Sequence, residues 1–251
     1  MWSRAIDVVF PRRCAGCGDG AWPFCSGCLR ELVVLEPPWC VRCGRPSALP
    51  VPMCRDCPPA PVTSARAPFL YRGPAKRAIH RLKFSGWRDV AAALADAMVV
   101  ALGTAPADVI TWVPLSRRRR AERGYDQARA LAVAVGHRTG LPVVRLLRRS
   151  VSTRPQATRS AFERRAAMRG AFVATGPAPA RVLLVDDVLT TGATAAGCAQ
   201  ALAEGGAREV HVATAARALS GGGLPLRAPR ADVYARVGSR PGLWLPGDPP
   251  R

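Results

Sequence analysis

The middle of the chain, about residues 69–218, alternates apolar runs with stretches of helical periodicity. Apolar runs that are rich in β-branched residues predict four strands, at 108–113, 142–147, 181–185 and 209–215. Helical spacing of apolar residues predicts helices at 89–103, 126–139 and 194–204. Strands that alternate with helices favour an α/β fold with a mainly parallel sheet.

The two ends of the chain differ in composition from this middle part. Residues 1–60 hold eight of the nine cysteines but few large apolar side chains, and a Pro-rich stretch from Pro58 to Pro68 is predicted to be a linker. Residues 220–251 are rich in Gly, Pro and Arg, a composition typical of partial disorder. We therefore divide the chain into a cysteine module (1–60), an α/β domain (61–219) and a tail (220–251).

Neither an export signal nor a membrane span is expected. The first ten residues carry Arg4 and Asp7 and lead to the first cysteine pair without an apolar stretch. The most apolar helix, 89–103, contains Asp96 and is too short to cross a bilayer. A cytoplasmic location is therefore expected, where thiols stay reduced and bind metal more often than they form disulfides.

The cysteine module consists of four Cys-x-x-Cys pairs, namely Cys14 and Cys17, Cys25 and Cys28, Cys40 and Cys43, and Cys54 and Cys57. Two thiolates at this spacing reach one ion, so eight cysteines predict two structural zinc sites with four sulfur ligands each. The short gaps favour joining the first pair to the second and the third to the fourth, while a cross-braced pairing stays open. Disulfides and a thioredoxin-like redox pair are the alternatives.

The formal net charge of the chain is +20, and part of the excess is concentrated in one segment. Residues 115–172 hold 15 arginines against only three acids, a surplus of twelve positive charges. A cationic segment of this size predicts an anionic partner, either a polyphosphate or a nucleic acid. A solvated basic surface is the alternative, above all for the run Arg118 to Arg120.

The most specific chemical signal is the segment 182–194, VLLVDDVLTTGAT. An apolar strand is predicted to end at two adjacent acids, Asp186 and Asp187, before a hydroxyl-rich loop opens a helix. Loop amides, threonine hydroxyls and the helix N-terminus can bind a phosphate, at Leu189, Thr190, Thr191, Gly192, Ala193 and Thr194. The two carboxylates can accept hydrogen bonds from vicinal hydroxyls, so the segment fits a 5-phosphorylated ribose. The alternative is an ordinary turn whose acids cap the helix.

This segment resembles the phosphoribosyl pyrophosphate motif of type I phosphoribosyltransferases. Over about residues 10–217 the chain resembles the ComF proteins, which join a double zinc ribbon to a domain of that kind. The other matching segments are Leu82-Lys-Phe-Ser-Gly86, Val113-Pro-Leu115, Arg123-Gly-Tyr-Asp-Gln127, Gln156, Glu163-Arg164 and Gly170-Ala-Phe172. The chain departs from the family pattern at Asp126 and Ala167, where asparagine is more usual. The resemblance implies a type I phosphoribosyltransferase fold behind an N-terminal double zinc ribbon.

The resemblance also implies roles for the basic middle of the chain. A loop at 115–124 would hold the pyrophosphate, together with a magnesium ion, and a longer loop at 150–165 would close over it. Asp186 and Asp187 are the candidate catalytic residues. The expected ligand contacts outside the main motif are Lys83, Ser116, Arg117, Arg123 and Gln127. For Lys83 an ordinary surface charge is the alternative.

Three functions remain open on the sequence. The first is a phosphoribosyltransferase, in which departing pyrophosphate leaves an oxocarbenium-like ribose for a nitrogen nucleophile. The second is a non-catalytic protein that senses the same ligand. The third, implied by the resemblance, is a factor that handles single-stranded DNA in natural transformation with proteins of the competence machinery. The six tryptophans, however, are scattered and predict no stacking platform for bases.

Overall fold

The computed structural model describes residues 13–150 and 170–219. Its helices are α1 Ser26–Glu31, α2 Gly73–Phe84, α3 Val90–Leu102, α4 Arg117–Arg123, α5 Gln127–Thr139 and α6 Ala193–Glu204. Its strands are β1 Val62–Arg66, β2 Phe69–Leu70, β3 Val109–Trp112, β4 Leu147–Arg149, β5 Phe172–Ala174, β6 Arg181–Leu189 and β7 Glu209–Arg217. The expected closing loop, apart from Ser150, and the tail 220–251 lie outside the described residues.

A parallel sheet of five strands forms the centre of the α/β domain, which confirms the predicted fold class. Its order is β1–β7–β6–β3, and the short strand β2 pairs with the end of β7. All of these pairings are parallel. Strands β4 and β5 form a separate antiparallel pair. Because parallel strands end at the same edge, the residues that follow β3 and β6 are brought together at the carboxyl end of the sheet.

Helices cover both faces of this sheet. Helices α2, α3 and α5 bury side chains such as Leu94 and Leu131 with Leu183 of β6 on one face. Helix α6 buries Leu202 against Leu184 on the other face. This double cover explains why the central strands are apolar along most of their length. Of the helices in the two described ranges, none is long and apolar enough to cross a bilayer.

The cysteine module packs onto the α/β domain on both sides of the sheet. Cys14 and Cys28 belong to the first core and Cys40 and Cys43 to the second. The predicted linker at 58–68 is wrong in part, because it contains strand β1. The prolines of this stretch lie before and after the strand, so its amide groups remain free to pair with β7.

The segment 115–124, expected to be a loop, is mostly the helix α4. Ser116 caps it by accepting a hydrogen bond from the backbone N–H of Arg119, and Gly124 ends it in a left-handed conformation with φ of 72°. Both are standard helix-end signals. The expected loop therefore presents its arginines on one short helix.

Two predicted strands have different bounds in the structure. The strand expected at 142–147 is a single parallel bridge between Val143 and Ile110, and regular pairing begins only at Leu147. Strand β6 runs to Leu189 instead of ending near Val185, since its last residues still pair with β7. Both acids of the main motif therefore lie inside the strand.

Candidate functional site

Three polar side chains from three elements meet near the carboxyl end of β6. Asp187 of β6 is only 6 % exposed. Lys83, in the last turn of α2, lies with its Nζ 2.7 Å from Asp187 Oδ1. Gln127, the first residue of α5, donates from Nε2 to Asp187 Oδ2 at 2.9 Å. The structure thus brings together three of the predicted site residues, and Lys83 is an ion-pair partner rather than an ordinary surface charge.

The side-chain carbonyl oxygen of Gln127, in the same cluster, accepts no hydrogen bond from the described residues. Gln127 is buried, and no donor within residues 13–150 and 170–219 reaches its Oε1. A buried acceptor that lacks a partner costs about 1–3 kcal/mol. A ligand that carries hydroxyl groups would satisfy this acceptor and the neighbouring carboxylate together.

Asp186 has different surroundings from its neighbour. It is half-buried, and its Oδ1 accepts the backbone N–H of Asp187 at 2.8 Å. Burial, together with the charge of Asp187, raises the pKa of Asp186 well above its usual range. Successive strand residues point to opposite faces. The two adjacent carboxylates therefore differ, one being paired with a cation and the other held by a backbone amide.

The predicted phosphate loop lies between β6 and α6. Thr190 and Thr191 are exposed, and Thr191 Oγ1 accepts the N–H of Ala193 at 3.4 Å. Gly192 precedes the helix with φ of +75°, a conformation that favours glycine, and offers no side-chain cap. Because the first amides of a helix have no partner within it, this end of α6 can receive an anion.

The cysteine module forms one side of this loop. A Cβ atom added to Gly192 would lie 2.7 Å from Cβ of Pro58, which follows the last cysteine of the module. Leu189, a predicted ligand contact, is the buried last residue of β6, where it pairs with Arg217. Nothing in the sequence signals either contact, because the partners lie in distant segments.

The basic helix α4 carries the predicted residues Arg117 and Arg123. Arg117 is exposed, while the Arg123 guanidinium lies 4.7 Å from the ring centroid of Phe84, next to Lys83 in α2. Asp126, where the family pattern favours asparagine, caps α5 by accepting the N–H of Arg129 at 3.2 Å. Asp126 thus has a structural role at the start of α5 in this chain.

The eight module cysteines form two clusters, Cys14 with Cys17, Cys25 and Cys28, and Cys40 with Cys43, Cys54 and Cys57. The sulfur atoms of each cluster lie within 4.8 Å of one another, which corresponds to the sequential pairing that the short gaps favour. The Cys17–Cys25 and Cys40–Cys57 distances are 3.7 and 3.5 Å. A tetrahedral zinc ion with Zn–S bonds of about 2.3 Å needs sulfurs about 3.8 Å apart. Both clusters therefore fit zinc.

Known protein domains match both halves of the chain. Residues 5–58 match the double zinc ribbon domain, and residues 121–230 match the phosphoribosyl transferase domain. The chain is 33% identical over 205 residues to the DNA utilization protein YhgH of Salmonella typhimurium, an alignment that covers 76% of this chain and 88% of that protein.

Two competence proteins are also similar to the chain. Competence protein ComFC of Bacillus subtilis is 26% identical over 193 residues, covering 72% of this chain and 78% of its own. Competence protein F of Haemophilus influenzae is 29% identical over 208 residues, covering 77% and 90%. Among solved structures, the glutamine phosphoribosylpyrophosphate amidotransferase of B. subtilis has a TM-score of 0.37 and 25% identity. The matched region covers 53% of this chain and 29% of the amidotransferase chain.

Proposed function

This chain belongs to the ComF family of competence and DNA utilization proteins, and we propose that it binds phosphoribosyl pyrophosphate at the carboxyl end of its parallel sheet. The observation that carries the proposal is the cluster of Lys83, Gln127 and Asp187 beside the turn that opens α6. The match of residues 121–230 to the phosphoribosyl transferase domain supports it.

The ribose would bind at Asp187 and Gln127. The carboxylate of Asp187 can accept hydrogen bonds from ribose hydroxyls, and a second hydroxyl hydrogen can satisfy the Oε1 atom of Gln127. The ammonium group of Lys83, 2.7 Å from this buried carboxylate, is its ion-pair partner. The site would therefore select a ligand with neighbouring hydroxyl groups.

The 5-phosphate would bind to the loop Thr190 to Gly192 and the first amides of α6. The exposed hydroxyls of Thr190 and Thr191 and the N-terminal end of the helix provide donors for phosphate oxygens. The pyrophosphate would extend towards α4, where Arg117 and Arg123 supply positive charge. In this arrangement the two charged ends of one ligand would bind to two different helices.

A transferase reaction would need positioning and charge stabilisation from this site. The C1–O bond of the ribose breaks, pyrophosphate leaves with the electron pair, and a nitrogen nucleophile forms the new bond at C1. Arginines of α4 would stabilise the negative charge of the leaving group. A magnesium ion would supply further positive charge there, and carboxylates such as Asp186 are ligands that it accepts. The transferase reaction is part of the proposal. So are a cytoplasmic location and partners among the competence proteins.

Calorimetric titration tests the binding proposal. Phosphoribosyl pyrophosphate should bind more tightly than ribose 5-phosphate or pyrophosphate alone, because only the complete ligand reaches both helices. A pyrophosphate-release assay with a panel of bases and amines then separates an enzyme from a ligand sensor. Equal, weak binding of all three compounds would contradict the proposed site.

A second candidate, the binding of single-stranded DNA, is favoured by an aromatic surface near the same site. Phe84 is 59% exposed. Its ring centroid lies 4.6 Å from that of His80, with the two rings tilted by 46°, and the Arg123 guanidinium lies 4.7 Å from it. Close by in the sequence, the guanidinium of Arg88 lies 4.9 Å from the ring of Tyr125. Tyr125 is half-buried, whereas the rings of Phe84 and His80 are exposed among arginines, an arrangement that suits bases and phosphates of a single strand. Phe84 and His80 would then supply the stacking surface that the scattered tryptophans do not predict.

Replacement of Phe84 tests this second candidate. Loss of one stacked base costs about 1–3 kcal/mol, so Phe84→Ala should weaken oligonucleotide binding by about tenfold. Val100→Ala, which removes another exposed apolar side chain, on α3, is the matched control. Equal affinity of the two variants would show that the aromatic surface takes no part.

A further inference from the structure

Arginines of the α/β domain hold the first knuckle of the cysteine module, the turn 14–17. Arg77 donates from Nε to the carbonyl of Gly16 at 2.9 Å. Arg81 donates from Nη1 to the carbonyls of Ala15, at 2.8 Å, and of Gly16. Both arginines lie on α2, one turn apart. The position of this helix is thus tied to the fold of the first zinc knuckle.

The corresponding knuckle of the second ribbon, the turn 40–43, is held in the same way. Arg66, the last residue of β1, donates to the carbonyl of Val41 at 2.6 Å. Arg217, the last residue of β7, donates from Nη1 to the carbonyl of Cys43 at 2.7 Å. In both ribbons, therefore, two arginines of the domain bind carbonyls of the first cysteine turn.

The guanidinium of Arg217 is buried and needs negative charge beside it. The residue is 2% exposed, Nη2 donates to the carbonyl of Asp56 at 3.4 Å, and Nε finds no acceptor in the described part of the chain. A buried cation is costly unless a charge of opposite sign compensates it. Four thiolates around one zinc ion carry a net negative charge, and Cys43 is one of these ligands. The second zinc site would thus stabilise this end of β7.

The arginines that contact each knuckle are close to groups of the candidate ligand site, along α2 in one case and across the sheet in the other. On α2, Arg81 is two residues from Lys83, which lies on Asp187. In the sheet, Arg217 pairs with Leu189, the residue before the phosphate loop. A displaced knuckle would therefore move the groups that surround the ligand.

The second ribbon also touches the phosphate loop itself. Pro58 is buried and fills the space where a Cβ atom of residue 192 would be, with the two β positions 2.7 Å apart. The contact leaves no room for a side chain at position 192, where the left-handed backbone leads into α6. The cysteine module is therefore in contact with the phosphate end of the site.

We propose that the double zinc ribbon forms part of the phosphoribosyl site. The knuckle 14–17 holds Lys83 on Asp187 through α2, and the knuckle 40–43 holds Leu189 through Arg217. Pro58 of the second ribbon contacts Gly192. Loss of either knuckle contact weakens binding of a phosphorylated ribose. Arg81 and Arg217 are positioning residues that act through these groups. The inference rests on the proposed function for its ligand, whereas the coupling between ribbon and loop is a property of the chain alone.

The test compares Arg81→Met and Arg217→Met with the control Arg208→Met. Methionine keeps the aliphatic stem, and Arg208 is exposed next to the first residue of β7, at the opposite end of the strand from Arg217. Full-length, zinc-loaded proteins are titrated with phosphoribosyl pyrophosphate, and hydrogen–deuterium exchange of residues 183–194 is measured without ligand. Both positioning variants should bind about tenfold more weakly and exchange about tenfold faster, the effect of one lost charged hydrogen bond.

The controls separate positioning from loss of the fold. Arg81→Lys keeps a donor for the knuckle carbonyls and should recover part of the affinity. Unchanged affinity and exchange in both zinc-loaded methionine variants would overturn the proposal. Where a variant fails to fold, Pro58→Gly decides: it leaves both knuckles intact and should speed exchange at 183–194, and no change there would overturn the proposal. If wild-type protein binds no ligand but exchange still responds, the proposed function fails and the coupling stands.

Discussion

Replacement of Lys83 by methionine should destabilise the protein strongly. Lys83 is the cation beside the buried carboxylate of Asp187, at 2.7 Å, and the two side chains are 17% and 8% exposed. Breaking a buried ion pair costs about 3–5 kcal/mol, because the remaining charge stays buried without its partner. We expect about 3 kcal/mol, the low end, since Gln127 still donates to the carboxylate. In a domain of this size the loss corresponds to a fall in Tm of about 6–12 °C.

A double-mutant cycle isolates the contribution of the pair. Asp187→Asn removes the buried charge, so Lys83→Met should cost much less in that background, with a coupling energy of about 2 kcal/mol. Thermal and denaturant unfolding of the four proteins measures it. Lys76→Met is the matched control, since Lys76 is the other lysine of the chain and lies exposed on the same helix. A coupling energy below about 0.5 kcal/mol would refute the reasoning.

Three further predictions concern the metal, the second acid and nucleic acid. Elemental analysis should find two zinc ions per chain, and one or none, with module disulfides present, would contradict the assignment. Because the pKa of Asp186 is raised, the folded state binds its proton more tightly than the unfolded chain does. This difference stabilises the fold at low pH, and the stabilisation is lost as pH rises through the folded-state pKa. Asp186→Asn should therefore raise Tm at neutral pH, with a gain that shrinks towards pH about 4; a gain independent of pH would contradict this. Oligonucleotide affinity should fall with salt at a log–log slope of about −0.7 per phosphate contacted, and phosphoribosyl pyrophosphate should compete; no competition would refute a shared site.

The features predicted correctly from the sequence depend on local spacing. Cys-x-x-Cys pairs determine which sulfurs can share an ion, and the two clusters of the structure follow from the short gaps between pairs. The alternation of apolar strands and helices likewise predicted the parallel sheet. Helix α4 could also have been predicted, because Ser116 and Gly124 are typical of helix ends.

Contacts between distant segments could not be predicted from the sequence. Lys83 meets Asp187 because α2 ends beside β6, and no periodicity reports that packing. The extension of β6 to Leu189 depends on its partner β7, which provides backbone pairing where the two acids argue against a strand. Strand β1 was not predicted because the prolines on both sides of it indicated a linker.

Calorimetry of phosphoribosyl pyrophosphate with the variant Asp186→Asn, Asp187→Asn tests the proposed function most directly. Hydrogen bonds from ribose hydroxyls to the charged carboxylate of Asp187 contribute about 1.5–3 kcal/mol each, and Asp186 is the proposed magnesium ligand. The double variant should therefore lose detectable binding while its unfolding transition stays cooperative. Glu204→Gln, which neutralises an exposed acid at the far end of α6, should bind like the wild type. A folded double variant with wild-type affinity would contradict the account.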